Sequence, residues 1–299
     1  MPPDPGTLVP DVPALRARLD AADYLADDAL ATALLLAVRM RQPILLEGEP
    51  GVGKTEAARA LATVLDTPLI RLQCYEGLSA AEALYEWNYP RQLLAIRLAE
   101  SRGEPLRDAD LFTEDFLMPR PLLAAITHPG PRPAVLLIDE VDRADDEFEA
   151  FLLEVLADAA VTVPELGTRT AEVPPVAVLT SNRTRDLHDA LKRRCLYHWI
   201  EYPDTERVAA VIRRRVPGAG EWLASRVAGA VDRLRAGDRL TKPPGIAEAV
   251  DWAAALRALG LTSFDAEAAD RTLGAVLKYA EDLAAVRAEG LARLVDSDA

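Results

Sequence analysis

An eight-residue loop, GEPGVGKT at 48–55, limits the possible folds of this 299-residue chain more than any other segment. It fits the spacing G-x-x-x-x-G-K-S/T, in which glycines let backbone N–H groups curl around phosphate oxygens. The apolar run PILLE precedes it, and the helically spaced TEAARALATVLD follows it. A strand–loop–helix unit that binds phosphate is predicted; a glycine-rich turn without a ligand is the alternative. The predicted binding residues of this phosphate loop are Gly48, Glu49, Pro50, Gly51, Val52, Gly53, Lys54 and Thr55.

Lys54 stands out because lysine is rare in this sequence. Lysine and arginine together number 34, and the lysines are Lys54, Lys192, Lys242 and Lys278. In a phosphate loop the lysine ammonium reaches the β and γ oxygens of a nucleotide, and the hydroxyl that follows it can ligate Mg²⁺. ATP and Mg²⁺ are therefore the expected cofactors, with Thr55 as one metal ligand.

A second motif, VLLIDE at 135–140, predicts a buried strand that ends in two carboxylates. Asp139 is expected to hold Mg²⁺ through water, and Glu140 is expected to polarise the attacking water. An exposed strand end would explain the same residues without any chemistry. Downstream of a phosphate loop, the pair predicts an ATPase that forms ADP and phosphate, because a hydrolase needs a base for water whereas a small-molecule kinase excludes water.

Two further segments contain candidate catalytic residues. LTSN ends a predicted strand at Asn182, whose amide could orient water beside Glu140; a strand-terminating turn is the alternative. ALKRRC puts Arg193 and Arg194 at the end of a helix, where the helix dipole also favours cations. The functional hypothesis for them is an arginine finger, a guanidinium presented to the γ-phosphate held by a neighbouring subunit. That hypothesis requires a ring of subunits.

Short apolar strands alternate with amphipathic helices up to residue 203, and helices alone follow. This order predicts an α/β fold, a three-layer domain with a parallel five-stranded sheet, followed by a small all-helical lid domain. Residues 102–133 are predicted to be rich in loops, and VTVPELGTRTAEV predicts a hairpin. The predicted boundaries are a disordered leader at 1–20, the α/β domain at 21–203 with an aromatic insert at 75–100 and a hairpin insert at 160–174, and the lid at 204–299.

Charge and composition argue against several classes of protein. The formal net charge of −14 repels a nucleic-acid backbone and disfavours a general nucleic-acid binder. No apolar run approaches the roughly 18 residues of a membrane span, and the proline-rich start does not resemble a secretion signal, so a cytoplasmic protein is expected. Cys74 and Cys195 are far apart and predict reduced, partly buried thiols, and the histidines show no metal-ligand spacing.

The order of these parts resembles an AAA+ ATPase of the MoxR family. Over about residues 20–260, it is similar to the CoxD-type branch, which is associated with maturation of the molybdenum–copper site of carbon monoxide dehydrogenase. The segments that carry this resemblance are RLQCYEGL, YEWNYPRQLL, FEAFLLEVL, VPELGT, TSNRTRDLHDALKRRCLYHWIEYP and KPPGIAEAVDW. The roles that it implies are Walker A for Lys54 and Thr55, Walker B for Asp139 and Glu140, sensor 1 for Asn182, the finger for Arg194 with Arg193 as its neighbour, and restraint of Glu140 for Gln73.

The lid departs from the family pattern at the position called sensor 2. Many relatives carry an arginine there, after a proline at the start of the third lid helix, whereas this chain has Gly245 and Ile246 in TKPPGIAEAV. Lys242 is the nearest cation and is a candidate nucleotide contact in its place. A lysine on a solvated loop is the alternative reading.

The resemblance implies a ring-forming chaperone, expected to be a hexamer, that uses ATP hydrolysis to remodel a metalloenzyme client such as a molybdenum hydroxylase. Its expected partners are other copies of itself, the client and a protein with a von Willebrand factor A domain, and no nucleic acid. A nucleic-acid motor is one alternative, although the predicted hairpin offers only Arg169 as a basic residue. A nucleotide switch or scaffold that does not hydrolyse ATP is another.

Aromatic side chains are concentrated between residues 73 and 92, at Tyr75, Tyr85, Trp87 and Tyr89. The last three follow the spacing i, i+2 and i+4, which indicates an extended or looped platform and not one face of a helix. Tyrosine and tryptophan combine apolar area with a hydrogen-bonding tip, which favours a client or partner contact. Packing of the insert onto the core is the alternative.

Overall fold

The computed structural model describes residues 9–103, 106–237, 239–261 and 263–295, and the chain divides into two compact units. The first unit comprises Met1–Glu47 and Thr55–Trp199, and the second comprises Gly48–Lys54 and Ile200–Ala299. Most of the phosphate loop therefore belongs to the second unit, while Thr55 belongs to the first. The second unit resumes at Ile200, close to the boundary that the sequence places at 203.

The first unit is built on a parallel sheet. The strands of the described residues are β1 (Ile44–Gly48), β2 (Leu69–Gln73), β3 (Tyr85–Trp87), β4 (Leu117–Pro119), β5 (Val135–Asp139), β6 (Ala160–Val163), β7 (Gly167–Thr170), β8 (Val176–Ser181) and β9 (Leu196–Ile200). Five of them form the sheet, in the order β2–β5–β8–β1–β9. Every residue of β1, β5 and β8 is buried, as expected where helices cover both faces of a parallel sheet. The predicted α/β fold with a five-stranded parallel sheet is confirmed.

Helices connect these strands. In the described residues they are α1 (Val12–Ala21), α2 (Asp28–Met40), α3 (Lys54–Leu65), α4 (Ala80–Leu84), α5 (Tyr89–Arg102), α6 (Asp108–Leu111), α7 (Pro121–Ile126), α8 (Asp146–Asp158) and α9 (Asp189–Arg194). Side-chain caps fix several starts: Asp27 accepts from the Leu30 N–H at 2.7 Å, and Asp145 accepts from the Phe148 N–H at 2.9 Å. The cap at Asp145 starts α8 six residues after β5 ends.

The prediction of a disordered leader at 1–20 is wrong for its second half. Residues 12–20 lie in α1, which Asp11 caps by accepting from the Ala14 N–H at 2.8 Å. Leu15 and Leu19, one turn apart, are both buried, and α1 contacts α2. The proline content misled the prediction, because proline is well tolerated in the first turn of a helix, where Pro13 lies. Residues 1–8 of the predicted leader lie outside the described residues.

Two antiparallel ribbons accompany the sheet. β6 and β7 form the predicted hairpin, with Val163 opposite Gly167, and Gly167 has the positive φ of 80° that its turn requires. β3 pairs with β4, so the stretch predicted to be rich in loops contains a strand as well as α6 and α7. Four residues of α7 are buried, and its six-residue length is too short for a periodic pattern to appear in the sequence.

The second unit is helical beyond the phosphate loop. Its described helices are α10 (Thr205–Arg215), α11 (Glu221–Arg235), α12 (Ile246–Ala258), α13 (Ala266–Val276), α14 (Ala280–Glu289) and α15 (Ala292–Val295). Trp252 of α12 is fully buried in their shared core, and its indole N–H donates to Thr272 Oγ1 at 2.8 Å. None of the described helices combines the length and apolar character needed to cross a membrane.

Candidate functional site

The phosphate loop closes around its own lysine. Gly51 and Gly53 have φ angles of 82° and 95°, which residues with a side chain rarely adopt. The Lys54 ammonium is buried and donates hydrogen bonds to the carbonyl oxygens of Gly48 at 2.7 Å and Glu49 at 2.8 Å. The loop therefore holds a positive charge within a curl of backbone, the kind of concavity that attracts phosphate oxygens.

An arginine of the second unit holds the phosphate loop in place. At the end of α11, Arg235 donates from Nη2 to Glu49 Oε2 at 2.6 Å and from Nη1 to the Pro244 carbonyl oxygen at 2.9 Å. Its guanidinium stacks 3.5 Å from the centroid of the Tyr202 ring, and burial raises the pKa of that tyrosine to about 12, so the ring stays neutral. The sequence pattern did not single out Arg235, because it looks like one of many arginines near a helix end.

Lys242 and the start of α12 lie in different surroundings. Lys242 is exposed, and its backbone N–H donates to Asp282 Oδ2 at 3.3 Å. At Gly245, a β-carbon would lie 3.1 Å from the Pro50 carbonyl oxygen and 3.2 Å from Gly51 Cα. The start of α12 therefore packs directly on the backbone of the phosphate loop. A side chain at 245 would be in tight contact with this backbone, whereas Ile246, the other position where an arginine is expected, carries a side chain.

Asp139, at the end of β5, is the hub of a polar cluster in the first unit. It is only 3% exposed. Its Oδ1 accepts hydrogen bonds from Thr55 Oγ1 at 3.0 Å and from Thr180 Oγ1 at 2.6 Å. Its Oδ2 accepts from Arg71 Nε at 3.0 Å and Arg71 Nη2 at 2.6 Å. Arg71 and Thr180 come from β2 and β8, the strands on either side of β5, and the sequence pattern identified neither.

Glu140 turns toward a second set of partners. Its φ of 54° is left-handed, which is uncommon for a residue with a side chain. Its Oε2 accepts from Gln73 Nε2 and from Arg143 Nη1, both at 3.0 Å, and its Oε1 lies 3.5 Å from Asn182 Nδ2. The register of β2 and β5 places Gln73 opposite Asp139, which brings its amide within reach of the next residue. The structure thus brings together Gln73, Glu140 and Asn182, the three residues to which the resemblance assigns related roles.

A third carboxylate fixes the segment that carries Asn182. Asp142 is 2% exposed, and its Oδ2 accepts from the backbone N–H groups of Asn182 at 3.2 Å and Thr184 at 2.8 Å. The Thr184 hydroxyl donates to the same oxygen at 2.7 Å. The position of the Asn182 amide beside Glu140 therefore depends on Asp142. Asp142 is visible in the sequence as the third acidic residue of LLIDEVD. The sequence does not show where its side chain points, because that depends on the turn after β5.

Asp139, Glu140 and Asp142, together with the residues that bond to them, form the acid cluster. This cluster has ligand atoms that fit Mg²⁺. Thr55 Oγ1 lies 3.0 and 3.3 Å from the two carboxylate oxygens of Asp139, and hydroxyl and carboxylate oxygens are ligands that Mg²⁺ prefers. Within the described ranges, no group of three or more His, Cys, Asp or Glu residues is placed to hold a metal. A set of one hydroxyl and one carboxylate suits Mg²⁺, which usually keeps several waters and binds substrate phosphates.

The two arginines at the end of α9 have different environments. Arg194 Nη1 donates to the Leu153 carbonyl oxygen at 2.8 Å, and the Arg194 carbonyl accepts from Gln42 Nε2 at 3.1 Å. Arg193 is exposed, and its side chain has no hydrogen bond or ion pair with any residue that the structure describes. Arg194 is exposed as well, so the two arginines differ in that the guanidinium of Arg194 already donates to a carbonyl oxygen of the first unit.

The aromatic segment divides into a packed part and an exposed part. Trp87 is 7% exposed and makes edge-to-face contacts with Tyr85 at 5.9 Å and Phe112 at 5.2 Å between ring centroids. The hypothesis that Trp87 forms a contact surface is therefore wrong, and the packing alternative applies to it. Tyr89, at the start of α5, is 59% exposed, and Tyr75 is 45% exposed. The predicted extended conformation holds for 85–87, which form β3.

The two cysteines lie inside the first unit and are unbridged. Burial, together with nearby carboxylates led by Asp139, raises the pKa of Cys74 to about 12. Burial raises the pKa of Cys195 to about 12 as well. Both groups are thus neutral thiols at physiological pH, which suits packing and not nucleophilic chemistry.

Comparison with known proteins gives one family and one fold. A family model described as AAA domain (dynein-related subfamily) matches residues 43–195, and no curated protein matches the chain. A Thermotoga maritima RuvB structure with a proline-to-glycine mutation has a TM-score of 0.50 and 18% identity, over 90% of this chain and 76% of that one. Another, titled Thermotoga maritima RuvB Holliday junction branch migration motor, has a TM-score of 0.48 and 19% identity, over 90% and 75% of the two chains. At such identities the likeness concerns the fold alone.

Proposed function

We propose that this chain, which belongs to the AAA domain family, dynein-related subfamily, is a magnesium-dependent ATPase. The observation that carries the proposal is the cluster around the end of β5, where Asp139, Glu140 and Asn182 meet beside Thr55. A structural role alone would not require two adjacent carboxylates with separate partners. Asp139 is held by two hydroxyls and a guanidinium, and Glu140 is held by amides and another guanidinium. The same chain also contains a phosphate loop, which would bind the phosphates of the nucleotide that this cluster hydrolyses.

In the proposed reaction the phosphate loop binds the nucleotide. Its backbone N–H groups and the Lys54 ammonium would hold phosphate oxygens, and Thr55 and Asp139 would hold the metal. Bound Mg²⁺ would neutralise negative charge on the β and γ phosphates. Lys54 must exchange its hydrogen bonds with the Gly48 and Glu49 carbonyls for bonds to phosphate. Those carbonyls keep the ammonium in position until the nucleotide arrives.

Glu140 is the proposed general base. It would accept a proton from the attacking water, and Asn182, whose amide lies 3.5 Å from Glu140 Oε1, would orient that water. Gln73 and Arg143 both donate to Glu140 Oε2, so this oxygen is already engaged by the protein and is not directed at a water molecule. In the arrangement seen here, Glu140 is restrained, and it becomes an effective base when the Gln73 amide moves away.

The wider role that we propose is that of a MoxR-type chaperone of the CoxD-type branch. Such a protein would assemble into a hexameric ring, work with a partner that has a von Willebrand factor A domain, and remodel a metalloenzyme client such as a molybdenum hydroxylase. The support is the resemblance of segments across about residues 20–260, together with two ribbons, β3–β4 and β6–β7, that contribute no residue to the acid cluster. Lys242 has no role in this proposal, whereas Arg235 takes part by holding the phosphate loop.

A nucleic-acid motor is the weaker proposal. The β6–β7 hairpin carries Arg169, whose guanidinium forms an ion pair with Glu114, so its charge is compensated within the first unit. The net charge of −14 also repels a phosphate backbone. RuvB, described as a branch migration motor, is alike only in fold.

Affinity capture from the native host tests the client proposal. Glu140→Gln protein, loaded with ATP, should retain bound client because the cycle stops before hydrolysis. We expect a molybdenum-containing hydroxylase and a protein with a von Willebrand factor A domain in the captured set, and their absence from a Lys54→Ala capture serves as the control. Capture of nucleic acid alone would instead support the motor and contradict the chaperone.

A second prediction concerns the arginine finger. Arg193→Ala should lower ATP turnover of the assembled protein about tenfold, while Arg194→Ala should cost less, because Arg194 already binds the Leu153 carbonyl. Steady-state phosphate release measures both. Mixing Arg193→Ala with Glu140→Gln subunits should restore part of the activity, because each supplies the group that the other lacks. No recovery on mixing would show that Arg193 does not act between subunits.

A further inference from the structure

We propose that Arg71 is a positioning residue that couples magnesium binding at Asp139 to the restraint of Glu140. The proposal rests on the ATPase function proposed above and adds a regulatory link within the same cluster. Within the part of the chain that the structure describes, Arg71 has no hydrogen bond or ion pair with the phosphate loop or with Glu140. It acts through two neighbours, the carboxylate of Asp139 and the amide of Gln73.

The link follows from the geometry of β2, the strand at the edge of the sheet. Arg71 and Gln73 are two residues apart on this strand, so their side chains lie on the same face. Arg71 Nη2 donates to Gln73 Oε1 as well as to Asp139 Oδ2. With its oxygen occupied by Arg71, the Gln73 amide presents Nε2 to Glu140 Oε2 at 3.0 Å. One guanidinium therefore contacts the metal-binding carboxylate and orients the amide that restrains the base.

The ion pair between Arg71 and Asp139 differs from an ordinary surface ion pair because one of its two members is buried. The arginine side chain is 49% exposed, but the carboxylate that it contacts is only 4% exposed. Nε and Nη2 both reach the same oxygen, at 3.0 and 2.6 Å, and a planar guanidinium can do this while a further N–H bond reaches Gln73. A lysine could supply the charge but has no such fork. The identity of the residue, and not only its charge, therefore matters here.

A magnesium ion and Arg71 compete for the same carboxylate. While Arg71 holds Oδ2, its charge compensates Asp139, and the Gln73 amide stays directed at Glu140. When a cation bound at Asp139 neutralises the carboxylate in place of Arg71, the ion pair of Arg71 weakens. The Gln73 amide, which Arg71 orients, is then held less firmly as well. The restraint on Glu140 is thus released when the metal needed for hydrolysis is in place. Turnover without a properly held metal is disfavoured.

Nucleotide binding with and without metal tests this coupling on the full-length protein. Fluorescent ADP is titrated in EDTA and then across a Mg²⁺ series, with the parent, Arg71→Ala, Arg71→Lys and a matched surface control, Arg59→Ala, whose arginine pairs with Glu56 at 3.4 Å. Without metal, Arg71→Ala should bind ADP about threefold to tenfold more weakly, because Asp139 is then uncompensated. Its half-saturating Mg²⁺ concentration should fall by a similar factor, because the metal no longer has a competitor.

Two further variants, Arg71→Lys and Gln73→Ala, distinguish a positioning role of Arg71 from a general loss of structure. Arg71→Lys should restore the magnesium dependence but not the orientation of Gln73. At sub-saturating Mg²⁺, Arg71→Ala and Gln73→Ala should both raise basal ATP turnover above that of the parent, and the double variant should exceed neither single variant. The difference from the parent should shrink as Mg²⁺ approaches saturation, because the metal itself then releases the restraint. An unchanged Mg²⁺ half-saturation in Arg71→Ala, or a change equal to that of Arg59→Ala, would overturn the coupling. Failure of the parent to bind ADP or ATP at all would instead contradict the proposed ATPase function.

Discussion

Replacing Glu140 with glutamine is expected to lower ATP turnover by about 10²- to 10⁴-fold, the usual contribution of a general base. The amide has the same shape, so the left-handed backbone at 140 and the buried Asp139 beside it need not move. It cannot accept the proton of the attacking water, because an amide is not basic at neutral pH. ATP binding should stay within about twofold of the parent, since the phosphate contacts belong to the phosphate loop.

Steady-state phosphate release and titration with a fluorescent ATP analogue measure the two quantities separately. The matched control is Glu147→Gln, an exposed carboxylate in the first turn of α8, which should leave both unchanged. Equal turnover in Glu140→Gln and the parent would exclude Glu140 as the base. If that shared turnover were negligible, the result would favour a nucleotide switch that does not hydrolyse ATP.

The sheet could be predicted from the sequence because its strands are short apolar runs. β1, β5 and β8 are buried along their whole length, and such strands appear as uninterrupted hydrophobic segments. The first helix escaped prediction for the opposite reason. In α1 only Leu15 and Leu19 are buried, and two apolar positions in a proline-rich stretch form too weak a pattern to indicate a helix. α7, although mostly buried, is too short to show any period.

The site could be predicted where a motif carries its own geometry, and not where it depends on strand register. The phosphate loop and the Asp139–Glu140 pair are local patterns, so their residues were found directly. Arg71 and Thr180 act on Asp139 from neighbouring strands, and only the order β2–β5–β8 shows that they converge. The aromatic segment shows the same limit, because the spacing of its rings could not tell that Trp87 would be covered by Phe112.

The second unit illustrates how a missing motif can have a structural cause. The sequence has no arginine at 245 or 246, and Lys242 is the nearest cation that could replace it. In the structure, Gly245 lies against the backbone of Pro50 and Gly51, so the helix itself fills the place of a side chain. The arginine that does contact the loop is Arg235, ten positions earlier, through Glu49. A search confined to the start of α12 could not have found it.

Replacing Lys54 with alanine is expected to weaken nucleotide binding by about 100-fold or more. A hydrogen bond between charged groups is worth about 1.5–3 kcal/mol, which is about 10- to 150-fold in a dissociation constant. The two hydrogen bonds from Lys54 to the Gly48 and Glu49 carbonyls are given up when the nucleotide binds, so their loss does not add to the effect. The lysine ammonium of a phosphate loop reaches oxygens of both the β and the γ phosphate, so the effect should lie at the upper end of that range. ATP turnover should become undetectable at concentrations that saturate the parent.

Lys242→Ala is the matched control, because it removes a lysine that the sequence reading considered for the same nucleotide. Its exposed side chain should be dispensable, with nucleotide affinity and turnover close to the parent. Titration of fluorescent ADP in EDTA isolates the lysine from any metal effect, and thermal unfolding of both variants checks that the fold is intact. If Lys242→Ala weakened ADP binding as much as Lys54→Ala, both lysines would have to contact the nucleotide. The assignment of phosphate binding to Lys54 alone would then be wrong.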